Sequence, residues 1–301
     1  MKISIIGMGA MGLLFGSIIT KNCGPESVEF LMDDARYEKN CGKKFTCNGE
    51  QMDFRMTKFS DATPADLVIV AVKATGLEDA IKGMKNAIGE NTAIISVLNG
   101  ISSEQMIGDV HGYRNVVYCV AQGMDAMKFD NELTYSKIGE VRVGLTEKVD
   151  PQIYKNAVSI LEKTGINFIE EEDIHRRMWG KFVQNVGFNQ TCMVYGITCG
   201  ESMIEGSVAF RTLIAAMREV VAIAHAEGIP LSEADINQYI ELASTFNKDG
   251  VPSMAQDRIN GRYSEVESFA GTVIKYAKKH NIYVPENEYL YKRVKEIEAE
   301  Y

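Results

Sequence analysis

The chain has 301 residues, of which 46% are hydrophobic, and this length predicts two folded domains rather than one. Its formal net charge is −9, and the sequence contains no basic cluster or arginine-aromatic stripe. Both features argue against nucleic acid as a partner. No run approaches the roughly 18 uninterrupted apolar residues of a membrane span, and the first predicted strand begins at Lys2, so we expect a cytoplasmic protein without a signal peptide or a membrane partner.

The first part of the chain alternates short apolar runs with amphipathic stretches, a rhythm typical of βαβ units. It predicts a Rossmann-type α/β domain over residues 1–172, with a doubly wound parallel sheet. The predicted elements are strand Lys2–Ile6, helix Met11–Thr20, and strands Val28–Met32, Leu67–Val72, Ala93–Leu98, Val116–Ala121, Lys137–Ile138 and Glu140–Leu145.

Helical periodicity replaces this alternation after about residue 172, and it predicts an all-α domain over residues 173–301. The predicted helices are Ile174–Tyr195, Phe210–Glu227, Ser232–Phe246, Ser264–His280, and a last helix from about Asn287 onward. The six cysteines and four histidines match no metal-ligand spacing. We therefore expect reduced thiols and no metal site.

A GxGxxG pattern lies between the first predicted strand and the helix that follows it. In this context the first glycine permits a tight turn, the second lets the backbone approach a pyrophosphate, and the third lets the helix pack closely on the strand. The helix N-terminus adds unpaired N–H groups for phosphate oxygens. A turn that serves packing alone is the alternative. The predicted cofactor-binding residues are Gly7, Met8, Gly9, Ala10, Met11 and Gly12.

The glycine motif predicts a dinucleotide cofactor, and the residues after the second strand bear on the choice between NADPH and NADH. Asp33 and Asp34 lie about 20 residues beyond the glycines, where an acidic side chain binds the ribose hydroxyls and repels a 2′-phosphate. Asp33 therefore favours NADH. Arg36 favours NADPH, because a guanidinium can bind that phosphate bidentately. Simple turn residues remain the alternative for both aspartates.

A polar stripe marks the first helix of the second domain. Lys181, Asn185 and Asn189 stand four residues apart and project from one ridge beside large apolar side chains. Such groups are costly to bury unless they are paired, so the stripe either pairs internally or faces a ligand cavity, and both readings remain open. A partly desolvated lysine suits a reduction, because it can protonate the alkoxide that forms.

Glu265 and Ser253 are further candidates. Glu265, at the start of the long predicted helix, is the natural acidic partner of the stripe, although a glutamate in so acidic a chain is commonly a solvated surface residue. Ser253 follows a proline, and a cap or a turn is its alternative role.

The sequence resembles the ketopantoate reductase family, also called 2-dehydropantoate 2-reductases, over essentially its whole length. The resemblance implies an NAD(P)H-dependent reductase of a 2-oxo acid in which Lys181 donates the proton and Glu265 positions the reactants. Asn185, Asn189 and Ser253 are implied to hold the substrate. The matching segments are Lys2–Gly12, Val70–Lys73, Leu98–Gly100, Trp179–Asn189, Ser253–Asp257, Glu265 and Val284–Asn287.

The resemblance also implies that Asn99 lies near both nicotinamide and substrate, and that Lys73 and the backbone near Gly123 contact the cofactor. Dimers are common among such enzymes, so a homodimer is expected. Two departures matter. Members that use NADPH commonly carry a basic residue where this chain has Asp33, and relatives can carry a substrate-contacting asparagine where it has Cys199.

Three other functions remain open at this point. The chain could reduce another 2-oxo acid, or act like a β-hydroxyacid dehydrogenase, which places a lysine and an asparagine on a comparable helix. Ser253 and Glu265 with their flanking segments favour the ketopantoate group over that second option. A non-catalytic dinucleotide-binding regulator is the third, and retention of the whole polar set argues against it.

Overall fold

The computed structural model describes residues 1–245 and 247–301, which form two compact units, Met1–Ile174 and His175–Tyr301. The predicted succession of a Rossmann-type domain and a helical domain is confirmed. The first unit contains strands β1 (Ile3–Ile6), β2 (Val28–Met32), β3 (Phe45–Cys47), β4 (Glu50–Met52), β5 (Arg55–Lys58), β6 (Leu67–Val70), β7 (Ala93–Ser96), β8 (Tyr118–Met124), β9 (Met127–Phe129), β10 (Glu132–Thr134), β11 (Ile138–Gly144) and β12 (Phe168–Glu170). Its helices are α1 (Ala10–Cys23), α2 (Asp34–Asn40), α3 (Leu77–Gly83), α4 (Ser103–His111) and α5 (Pro151–Thr164).

A parallel sheet of five strands, in the order β5-β2-β1-β6-β7, forms the centre of the first unit. The strands β1, β2, β6 and β7 are buried along their whole length, as continuous apolar runs predict. Alternate side chains enter two separate cores, so that Ile69 packs with residues of α1 and α5, while Val68 packs with residues of α3 and α4. Helices therefore cover both faces, as the doubly wound prediction requires.

Two smaller sheets were not predicted from the sequence. One has the order β4-β3-β10-β9 and the other β12-β11-β8. The two strands predicted around Lys137–Ile138 and at Glu140–Leu145 are a single strand, β11. Gly139, with a φ of +58°, interrupts the apolar alternation of that strand. A Cβ on Gly139 would lie 2.2 Å from the carbonyl oxygen of Gln122 in β8, so glycine is needed there, and the two strands pair on both sides of it.

The second unit is helical throughout the part that the structure describes, as expected. The helix predicted at Ser232–Phe246 corresponds to α9, and Phe246 lies outside the described residues. The single helix predicted over Ser264–His280 is wrong, because a π-helical turn, Glu267–Gly271, precedes a shorter α-helix. The helices are α6 (Ile174–Tyr195), α7 (Cys199–Ser202), α8 (Val208–Ala226), α9 (Glu233–Ser244), α10 (Ser253–Ile259), α11 (Thr272–His280) and α12 (Pro285–Glu298).

Three general features bear on function. All six cysteines carry free thiols. Among residues 1–245 and 247–301, no group of three or more His, Cys, Asp and Glu side chains is placed to hold a metal ion. Within the same two ranges, no helix is both long enough and apolar enough to cross a membrane.

Candidate cofactor and substrate sites

The glycine turn between β1 and α1 is tight at its outer glycines and open at the middle one. Gly7 has a φ of +109°, and a Cβ atom on it would lie 2.5 Å from the carbonyl oxygen of Ala71. A Cβ on Gly12 would lie 1.9 Å from the carbonyl oxygen of Gly7. Gly9 is exposed, and the nearest atom to a Cβ there is 4.0 Å away. Packing thus requires the outer glycines, while the middle one keeps the space before the α1 N-terminus open for phosphate oxygens.

The other predicted cofactor residues follow neighbouring strands of the same sheet. Asp33 follows β2, Lys73 lies beyond β6, and Asn99 lies beyond β7. The carboxyl ends of parallel strands meet at one edge, so these residues share an edge with the glycine turn. Lys73 is exposed and Asn99 is half-buried. Gly123, with a φ of +74°, is near the end of β8. Just before β8, Val116 forms a parallel bridge with Ile94 of β7.

Asp33 caps helix α2 in this structure. One of its carboxylate oxygens accepts a hydrogen bond of 2.7 Å from the backbone N–H of Arg36, and the other forms an ion pair with the Arg36 guanidinium. Burial raises the pKa of Asp33, but the hydrogen bonds and charge of Arg36 outweigh it, so the pKa lies below its usual value. Lys58 of β5 forms an ion pair of 3.2 Å with the next residue, Asp34. The residues that bear on cofactor choice therefore already interact with one another.

Helix α6 carries the predicted catalytic ridge, and two of its glycines let other helices approach closely. A Cβ on Gly180 would lie 1.9 Å from the hydroxyl of Tyr239 in α9, and one on Gly187 would lie 2.6 Å from Cγ of Met217 in α8. Glycine lowers helix stability by about 1 kcal/mol relative to alanine, so these positions are explained by packing rather than by helix propensity. The close packing fixes the rotation of α6 about its axis.

The structure joins three of the predicted substrate residues by hydrogen bonds. The Ser253 hydroxyl donates to Oδ1 of Asn189 at 3.0 Å, and Nδ2 of Asn189 donates to Oδ1 of Asn185 at 3.3 Å. Ser253 is the first residue of α10, so it is neither a turn residue nor the cap, which is Pro252. Asn189 is buried, whereas Asn185, one helical turn before it, and Lys181, a further turn before, are half-buried. The polar stripe thus begins on an accessible part of α6 and ends in the interior.

Glu265 does not open a helix, in contrast to the expectation. It is half-buried, it precedes the π-helical turn, and its carbonyl oxygen accepts hydrogen bonds from the N–H groups of Ser268 at 2.9 Å and Phe269 at 3.2 Å. The segment packs on α6, because the Phe269 and Phe182 ring centroids are 6.5 Å apart. Helix α6 and the turn that follows Glu265 are therefore in direct contact.

Two residues near these sites were missed by sequence reasoning. Gln190 is fully buried beside Asn189, and its Oε1 accepts a hydrogen bond of 3.0 Å from the N–H of Ala270 in the π-helical turn. An amide on the buried side of an apolar helix is the signal that could have identified it. Lys128 of β9 donates a hydrogen bond of 2.8 Å to the carbonyl oxygen of Met8 in the glycine turn. No local sequence pattern indicates this contact between Lys128 and Met8.

Cys199 is the first residue of α7, where its thiol hydrogen-bonds with that of Cys192 near the end of α6. This hydrogen bond lowers the pKa of Cys199, while the same bond and burial raise the pKa of Cys192. Cys192 follows Asn189 by less than one helical turn. The departure from the family pattern therefore lies in the same unit as the predicted substrate residues and close to them along the chain.

Solved structures with this fold cover nearly the whole chain. A D-mandelate dehydrogenase in complex with NADH has a TM-score of 0.86 at 24% identity, covering 100% of this chain and 99% of the other. A 2-dehydropantoate 2-reductase from Geobacter metallireducens has a TM-score of 0.84 at 22% identity, covering 98% and 99%. A ketopantoate reductase from Staphylococcus aureus, described as dimeric, has a TM-score of 0.83 at 19% identity, covering 100% and 99%.

Sequence comparison also finds 2-dehydropantoate 2-reductases. The chain is 26% identical to the 2-dehydropantoate 2-reductase of Streptococcus pyogenes over 95% of this chain and 94% of the relative, and 25% identical to that of Lactococcus lactis over 96% of each. The family model "Ketopantoate reductase PanE/ApbA" matches residues 3–148, and "Ketopantoate reductase PanE/ApbA C terminal" matches residues 173–298. The chain therefore belongs to the ketopantoate reductase family, whose members are NAD(P)-dependent oxidoreductases.

Proposed function

We propose that this chain is a 2-dehydropantoate 2-reductase, which reduces the C2 ketone of 2-dehydropantoate to give pantoate with NAD(P)H as the reductant. The observation that carries the proposal is the hydrogen-bonded series Ser253, Asn189 and Asn185, one helical turn from Lys181 on a closely packed helix. Such a series presents an ammonium group and amide donors from one ridge, which suits a small substrate with a carboxylate and a hydroxyl.

The roles of the side chains follow from their positions. When bound, the reduced nicotinamide supplies a hydride to the ketone carbon. Lys181 donates a proton from Nζ to the ketone oxygen as negative charge develops there. The Ser253 hydroxyl orients Asn189, and Asn189 donates to Oδ1 of Asn185, which leaves Nδ2 of Asn185 as a donor for a substrate oxygen. We assign Glu265 to positioning the reactants, because it adjoins a turn that packs on α6.

We assign cofactor binding to the first unit and propose NADH as the preferred cofactor. Gly7, Gly9 and Gly12 hold the pyrophosphate at the N-terminus of α1, and Lys73, Asn99 and the backbone near Gly123 complete the site. The preference rests on Asp33, whose charge repels a 2′-phosphate. The Arg36 guanidinium is already engaged by Asp33 and would have to leave that ion pair to bind such a phosphate.

We also propose a homodimer in the cytoplasm. The dimer is supported by the shared fold with the dimeric ketopantoate reductase of Staphylococcus aureus. Exposed apolar side chains of the second unit, such as Ile204 before α8 and Val208 at its first position, which are 59% and 57% exposed, are available for such an interface.

The decisive experiment measures steady-state oxidation of NADH and of NADPH with 2-dehydropantoate and a set of other 2-oxo acids. We expect 2-dehydropantoate to give the highest kcat/KM. Lys181→Met should lower kcat by about 100-fold or more, because it removes the general acid, and should leave the Kd for NADH unchanged. Lys278→Met is the matched control, since it removes an exposed lysine of α11 in the same unit.

The outcomes separate the candidate functions. A higher kcat/KM with another 2-oxo acid would reassign the substrate while keeping the reaction. Cofactor binding without turnover on any oxo acid would make the chain a dinucleotide-binding regulator. Unchanged kcat in Lys181→Met, with normal turnover in the control, would remove the lysine from the mechanism.

A further inference from the structure

Lys128 places a cation against the glycine turn from a distant part of the sequence. Its Nζ lies 2.8 Å from the carbonyl oxygen of Met8, although the two residues are 120 positions apart. The same Nζ lies 5.8 Å from the centroid of the Phe45 ring in β3, so the side chain is held between the turn and an aromatic face. The lysine is half-buried. It is thus fixed on both sides rather than free in solvent.

Lys128 has no ion-pair partner among the described residues, although Asp130 acts on it at longer range. Among the residues that the structure describes, none offers a carboxylate within ion-pair distance of its Nζ. Burial lowers the pKa of Lys128, Asp130 opposes this change, and Lys43 and Lys39 lower the pKa further. A concentration of positive charge in a chain whose net charge is −9 is unusual and needs an explanation.

The chemistry at the turn supplies that explanation. One N–H of the ammonium donates to Met8, and the other two are able to bind an anion. The next residue, Gly9, is where the backbone is open and exposed. A diphosphate at this turn is doubly negative, and charge-assisted hydrogen bonds to phosphate oxygens are stronger than neutral ones.

We propose that Lys128 is a diphosphate-binding residue of the cofactor site, which fixes the Met8 carbonyl and neutralises part of the pyrophosphate charge. The proposal rests on the proposed dinucleotide cofactor at the glycine turn. It adds to that site a cation that the GxGxxG motif does not contain. The lysine acts in binding and not in the proton transfer assigned to Lys181.

The test measures the Kd for ADP-ribose, which carries the diphosphate without the reacting ring, by isothermal titration calorimetry. Lys128→Met should raise this Kd about tenfold, the effect of losing one charge-assisted hydrogen bond. The Kd for NADH should rise by the same factor while kcat at saturating NADH stays unchanged. Lys128→Arg should retain most of the affinity. Lys155→Met is the control, because it removes an exposed lysine from α5 of the same unit.

Each outcome decides the proposal. An unchanged Kd in Lys128→Met, with wild-type protein binding ADP-ribose normally, would overturn the role of Lys128 and leave the proposed function intact. If Lys128→Met and Lys128→Arg both showed a higher Kd together with a large fall in the thermal unfolding midpoint, the lysine would have a structural role only, and the proposal would be wrong. Failure of the wild-type chain to bind ADP-ribose, NADH and NADPH alike would overturn both proposals together.

Discussion

At the scale of single residues, Asp33 combines a structural role with the proposed choice of cofactor. Its carboxylate caps α2 and pairs with Arg36. Asn is a good helix cap, so Asp33→Asn keeps the hydrogen bond to the Arg36 N–H but removes the charge that repels a 2′-phosphate and frees the guanidinium. We expect the ratio of kcat/KM for NADH to that for NADPH to fall about tenfold, as one lost ionic interaction implies.

The control for this change is Asp34→Asn, which removes an equal charge one position along the chain. Asp34 pairs with Lys58 instead of Arg36, so its replacement should alter the cofactor ratio much less. Steady-state kinetics with both cofactors measures the two ratios. An equal shift in both variants would mean that only the overall charge of this region matters.

At the scale of secondary-structure elements, the π-helical turn depends on a hydrogen bond from α6. The N–H of Ala270 donates to Gln190 Oε1, and the Gln190 Nε2 lies 3.0 Å from the carbonyl oxygen of Val186 and 3.4 Å from Oδ1 of Asn287 in α12. A π-helical turn is rare and often lies beside a functional site. Gln190 thus ties together three elements of the second unit.

Gln190→Leu leaves the buried N–H of Ala270 without an acceptor, which destabilises a protein by about 1–3 kcal/mol. We expect a loss of that size in the free energy of unfolding, together with a lower kcat/KM for the oxo acid and an unchanged Kd for NADH. Denaturant unfolding and kinetics measure these effects. Gln184→Leu, at a half-buried position of the same helix, is the control. Equal stability of the two variants would contradict the account.

At the scale of the whole molecule, each compact unit contains a carboxylate that makes the stability of the folded state depend on pH. In the first unit, burial raises the pKa of Glu29, but hydrogen bonds from Lys2 and Thr57 lower it more. In the second, burial raises the pKa of Glu227, and bonds from Lys279 and His280 again outweigh it. Both pKa values therefore lie below their usual value.

The sign of the pH effect follows from these directions. A carboxyl group with a lowered pKa stabilises the folded state above its unfolded pKa of about 4.3, and this contribution disappears as the pH falls through the folded value. We expect the unfolding temperature to decrease when the pH is lowered beneath about 4.3. Glu29→Gln and Glu227→Gln should each weaken this pH dependence of the unfolding temperature. Calorimetry between neutral and acidic pH measures it. Identical pH profiles for both variants and the wild type would show that other groups control acid unfolding.

The local features of this protein were readable from the sequence because they depend on backbone geometry over a few residues. The continuous apolar runs gave the buried parallel strands, the spacing of the glycines gave the turn, and a period of four residues gave the ridge of Lys181, Asn185 and Asn189. The family itself followed from such ordered segments. The roles of the individual site residues stay predictions.

The tertiary structure decided the features that join distant parts of the chain. Ser253 and Asn189 are 64 positions apart, Ala270 and Gln190 are 80 apart, and Lys128 and Met8 are 120 apart. A π-helical turn, whose Ala270 N–H is bonded to a remote glutamine, stands where a continuous α-helix was expected. The strands of the small sheets that were missed, β3, β4, β9, β10 and β12, have three residues each, which is too short to carry a periodic signal. Local periodicity is set by the backbone, whereas these contacts are set by packing, which no short window of sequence contains.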